Sequence, residues 1–170
     1  MQGMSHHRKA ITKEESGKAR LFWEKALALD PESAALNAKL GIVHSFDARF
    51  GWWDNRETAI DKARSYADRA LEIDPRNADA YTASSVILLF QLRHDEAVAA
   101  AREAVKLAPG AADTAELASH VLAASGFPEE AVLMSEKAMT LSPNYPAVHL
   151  GTLGNAYRLS GRTEQAIAAF

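Results

Sequence analysis

The chain has 170 residues, 48% of them hydrophobic and 24% charged, with a formal net charge of −3. That length suffices for one domain with a core or for a short solenoid, and the charge balance carries no signature of polyanion binding, so nucleic acid is not an expected partner. The absence of cysteine excludes disulfides, thiolate zinc sites and cysteine nucleophiles, and no run approaches the roughly 18 apolar residues of a membrane span.

Residues 1–11 read as a disordered start or an expression remnant, and the solenoid is expected from residue 12 to residue 170. A lone helix is expected over about 13–29. Pairs then follow at about 33–49 with 56–73, 78–91 with 94–107, and 112–124 with 128–141. A last pair comprises about 146–159 and a helix from about 163. The stretches ALALDP, ALEIDP, AVKLAP and AMTLSP end at Pro31, Pro75, Pro109 and Pro143, where proline stops a helix. The last three prolines are 34 residues apart, whereas Pro31 and Pro75 are 44 apart, so one repeat carries ten extra residues. Before the prolines run ladders of small residues: Ala63, Ala67, Ala70; Ala97, Ala101, Ala104; Ala131, Ser135, Ala138. Spacings of four and three place each ladder on one helical face, where a neighbouring helix can come close.

The ten extra residues fall between Leu40-Gly41 and Ala63, with FGWWDN at the tip. Gly51 is suited to end the first helix, and Asp54 or Asn55 to cap the second. Of the adjacent Trp52 and Trp53, one is expected to pack between the lengthened helices and the other to stand exposed as an aromatic anchor.

Leu153, Gly154, Tyr157, Gly161, Ala166 and Phe170, with Leu40, Gly41 and His44 earlier and Ala19, Trp23, Ala26 and Pro31 at the start, resemble the tetratricopeptide repeat (TPR), a 34-residue helix–turn–helix. The resemblance implies an all-α TPR solenoid, a right-handed superhelix of antiparallel helix pairs truncated at both ends. Its divisions are a half repeat at 12–31, an overlong repeat at 32–75, repeats at 76–109 and 110–143, and a partial repeat at 144–170. Leu21, Phe22, Trp23, Leu27 and Leu29 at one end, and Ala166, Ile167 and Phe170 at the other, leave a homo-oligomer through the solenoid ends open. Gly51, Trp52, Ala70, Leu71, Asp74, Pro75 and Arg93 to Ala97 also resemble TPR arrays associated with bacterial class III adenylate cyclases and winged-helix regulators. That likeness implies a larger bacterial, cytoplasmic protein.

No metalloprotease HExxH, EF-hand loop or glycine-rich phosphate loop is present. His44 stands in the place of the repeat's Tyr and reads as a packed core histidine. Ser119, Ser125 and Ser135 have no base in a recognisable arrangement, so no catalytic, cofactor or metal site is expected. In the TPR family the first helix of each pair lines a concave groove. Carried across, that register gives Lys39, Ile42, Phe46, Asp79, Val86, Phe90, Glu116, His120, Asn155 and Arg158. One Lys, one Arg and one Asn set far apart do not make the carboxylate clamp of the co-chaperone branch, and an apolar helix or extended peptide fits the groove better. The expected role is a non-enzymatic module that binds a protein or peptide. The alternative is a regulatory or sensor domain controlling an attached cyclase or DNA-binding domain. Divalent metals and cyclic nucleotides are expected to leave the melting temperature unchanged, because a ligand bound only by the native state would raise it; differential scanning fluorimetry checks this.

Overall fold

The computed structural model describes residues 12–52, 55–145 and 147–169, with only the backbone of Ala147. Among the described residues there are nine helices and no strand. They are α1 (Lys13–Leu29), α2 (Ala34–Phe50), α3 (Arg56–Ile73), α4 (Ala78–Phe90), α5 (His94–Leu107), α6 (Ala112–Ala124), α7 (Pro128–Leu141), α8 (Ala147–Leu159) and α9 (Thr163–Ala169). None is long and apolar enough to cross a membrane.

Several helices start on side chains suited to the task. Thr12 Oγ1 accepts from the Glu15 amide at 3.2 Å, and Asn77 Oδ1 from the Ala80 amide at 3.0 Å. Asn55 Oδ1 accepts from the amides of Glu57 and Thr58 at 2.9 and 3.3 Å, satisfying donors that the first turn leaves unpaired. α7 opens instead with Pro128 followed by Glu129 and Glu130, a ring with φ preset and two charges at the positive end of the dipole.

Helix ends repeat even more closely. In each turn between the helices of a pair, one residue has positive φ: Gly51 (66°), Leu92 (59°), Gly126 (89°) and Gly161 (76°). The next residue's amide bonds the carbonyl five positions back: Trp52 to Asp47, Arg93 to Leu88, Phe127 to Leu122 and Arg162 to Tyr157, at 2.9–3.0 Å. This is one left-handed cap built four times. In the overlong repeat it comes later. α2 and α3 have 17 and 18 residues, where their counterparts α4 and α5 have 13 and 14. Each lengthened helix thus gains about one turn, and the rest of the insertion lengthens the link between them.

The packing follows the chain. α2 pairs with α3, α4 with α5, α6 with α7 and α8 with α9, while α1 packs on α2. Each pair leans on the next, and the first helices α2, α4, α6 and α8 also touch in succession. The fold is an all-α TPR solenoid. Its close contacts rest on the small-residue ladders, every member of which is buried. At Gly41 the approach is close: a Cβ there would lie 3.3 Å from Ala83 Cβ and 3.4 Å from the Ala63 carbonyl oxygen.

Leu92 occupies the left-handed position that glycine fills in the other three turns, and it is 77% exposed. A left-handed non-glycine residue costs roughly 1–2 kcal/mol, against which glycine's extra freedom in the unfolded chain costs about 0.5–1 kcal/mol. Leu92→Gly is therefore expected to stabilise the protein by about 0.5–1 kcal/mol, read as a higher urea midpoint with an unchanged slope.

Candidate functional site

α2, α4, α6 and α8, which touch in succession, share the face on which the groove is expected, and its positions recur every three to four residues. The sequence-derived groove residues fall into two groups there. Ile42, Val86 and Glu116 are buried and form the floor between helices, so their side chains are covered by the protein itself. Lys39, Phe46, Asp79, Phe90, His120 and Asn155 are partly exposed, and Arg158 is exposed.

Several of these residues hold one another. Lys39 Nζ pairs with Asp79 Oδ2 between α2 and α4. Arg158 donates to Asn155 Oδ1 at 2.9 Å, within α8. The Arg56 guanidinium lies 4.4 Å above the Phe90 ring, drawing the start of α3 onto α4. Thr82 Oγ1 is 3.5 Å from Thr114 Oγ1, joining α4 to α6. Beside Lys39 and Asp79, where the turns after α5 and α7 meet the start of α6, lies a cleft of about 470 Å³, lined also by Gly110, Asp113, Thr114, Leu141 and Asn144.

At the other end of α2 the aromatic tip begins. Phe46 stacks on Phe50 at 6.0 Å, and Phe50 on Trp52 at 4.7 Å. Trp52 is half-buried, so it is neither closed into the core nor bare. Trp53 and Asp54, on which the other half of the tip expectation falls, lie outside the described residues.

Two buried polar groupings were not foreseen from sequence. Arg49, in the added turn of α2, reaches Glu116 Oε1 and Thr152 Oγ1, each at 3.4 Å. Thr152 donates to the same Glu116 oxygen at 2.7 Å, shorter than its 3.1 Å approach to the Val148 carbonyl. The signal for Arg49 lay in the register, since Lys39, Ile42 and Phe46 continue to it at the same spacing. On the opposite side of α2, buried Asp47 accepts from Ser16 Oγ at 2.6 Å and from Arg20 at 2.8 Å, both on α1. Among the described residues no group of three or more His, Asp or Glu side chains is arranged to hold a metal ion.

A family model for the tetratricopeptide repeat matches residues 78–110. Solved structures extend the likeness along the chain. TTC0263, a thermophilic TPR protein of Thermus thermophilus, is 17% identical with a TM-score of 0.69, covering 92% of this chain and 80% of that one. The Pseudomonas aeruginosa protein pilF is 22% identical with a TM-score of 0.61, over 99% of this chain and 70% of its own. YrrB, described as a TPR protein with an unusual peptide-binding site, is 20% identical with a TM-score of 0.58, over 92% and 75%. At these identities the likeness establishes the fold. No curated protein matches the chain by sequence.

Two histidines make the solenoid sensitive to acid. His44 is fully buried and stacked on Tyr66 at 5.6 Å; burial, with Arg20 and Lys62 nearby, lowers its pKa to about 4. At neutral pH its 3.9 Å approach to Asp47 is therefore no ion pair. Burial and then the charge of Arg49 bring His120 down to about 3. Both pKa values lie below the 6.5 of an unfolded histidine, so below about pH 6.5 the unfolded chain binds more protons than the native one. Stability is complete above that pH and falls as the pH drops toward 4, by up to about 1.4 kcal/mol per pH unit for each histidine. Urea unfolding between pH 7 and pH 5 is expected to show this slope, and His44→Phe to remove the His44 share.

Proposed function

We propose that the chain is a protein-interaction scaffold that takes a peptide or helix of a partner protein on its concave face. The observation that carries this reading is the 470 Å³ cleft, where Lys39, Asp79, Asp113, Thr114 and Asn144 surround an opening of ligand-pocket size. A TPR solenoid generally supplies binding surface rather than reacting groups, and binding is read here as needing no metal or cofactor. The mixture of both charge signs with Leu141 favours a segment with an apolar anchor flanked by charges. On the resemblance carried by Gly51, Trp52 and Arg93 to Ala97, we further read the chain as part of a larger bacterial, cytoplasmic protein linked to an adenylate cyclase or winged-helix regulator.

Panning a random peptide library against the purified protein tests the interaction reading. Enriched peptides are expected to bind at least about tenfold more weakly to Asp113→Lys and Asn144→Glu, two exposed changes in the cleft, in titration calorimetry. Peptides indifferent to both changes, or no enrichment at all, would overturn it.

A further inference from the structure

We infer that Arg49 is a latch which holds the concave face closed by joining the first helices of three different repeats. In a solenoid each repeat ordinarily touches only its neighbours, so curvature accumulates from small independent angles. Arg49 departs from that rule. From α2 it passes beyond α4 to Glu116 on α6, 67 residues along the chain, and to Thr152 on α8, 103 residues along. Two repeats cannot swing away from the first without breaking these bonds.

The chemistry gives the latch its hold. The Glu116 side chain is only 3% exposed and that of Arg49 only 12%. A carboxylate withdrawn from water needs compensating donors, and here they are one guanidinium from α2, reaching past α4, and one hydroxyl from the neighbouring α8. Without Arg49, the cheapest relief for Glu116 is water, which enters if α2 and α8 move apart. The residue is available because of the insertion: a first helix of ordinary length, 13 residues as in α4 and α6, would end before position 49. The latch also divides the face. The Lys39–Asp79 cleft lies toward the start of α2, and the Phe46, Phe50 and Trp52 stack lies around and beyond Arg49 at its other end.

The test needs no ligand and is independent of whether a peptide binds. The chain has no cysteine, so spin labels can be placed at Glu57→Cys in the first turn of α3, the partner helix of α2, and at Arg158→Cys near the end of α8, both exposed. Pulsed electron-spin distance measurement is expected to give one narrow distribution in the otherwise native protein. Arg49→Met should shift it to longer distances and broaden it while circular dichroism stays unchanged. Glu116→Gln, which keeps the side chain's shape, should produce a smaller shift in the same direction and serves as the reading if Arg49→Met loses helicity. Arg49→Glu combined with Glu116→Arg should restore the narrow distribution. Distributions superimposable on the native one in the folded single variants would overturn the latch, as would an exchanged pair that stays as broad as Arg49→Met.

Discussion

The structure depends on how closely its helices approach, and that distance is set by side chains of one carbon or none. Ala63, Ala67 and Ala70, Ala97, Ala101 and Ala104, and Ala131 and Ala138 are each at most 1% exposed, and Gly41 faces a backbone with no room to spare. Such contacts bury little area per residue, so stability comes from repetition. Larger residues then fill the spaces between the ladders, as Val86, Leu117 and Val121 do around Ala97, Ala101 and Ala118. A close helix spacing also draws the first helices together. That convergence covers Ile42, Val86 and Glu116 and brings α2, α6 and α8 within reach of a single arginine.

Much of the fold was legible in the sequence because its determinants are local. Proline marks the end of a second helix whatever surrounds it, and a small residue every three or four positions identifies a buried stripe. The insertion was legible too, as ten residues between two otherwise regular spacings. The caps confirm the local logic: Gly51 takes left-handed φ and Asn55 caps α3. Leu92 is the exception, since nothing in QLRHDEA announces a left-handed leucine. Only alignment with Gly126 and Gly161 in the following repeats exposes it.

The concave face was legible only as a register. Periodicity says which side chains point inward and is silent on how far the superhelix closes, because closure sums small angles over several repeats. Glu116 could thus be assigned a register position without any sign that Arg49 would cover it. Arg49 was missed for a related reason: the helix was expected to reach about residue 49, but the groove positions carried over from an ordinary repeat stop at Phe46. Asp47 escaped because its donors, Ser16 and Arg20, belong to the preceding helix α1, and no local pattern connects them. Side chains that act between repeats are written in the tertiary structure.

The Asp47 cluster bears on a weakness peculiar to alanine-lined interfaces. A ladder of near-identical small residues looks the same after a shift of one turn, so apolar packing alone discriminates poorly between sliding positions of two helices. Ser16 and Arg20 lie four residues apart on α1 and converge on the two oxygens of one buried carboxylate. Sliding α1 by a turn in either direction would carry one of those donors past the carboxylate, leaving it underbonded away from water. Ser119 makes the same kind of mark between α6 and α7, bonding the Ala131 carbonyl and Ser135 at 2.7 Å each. These few polar contacts act as alignment pins: alanine lets the helices meet, and the pins decide at which turn they stop.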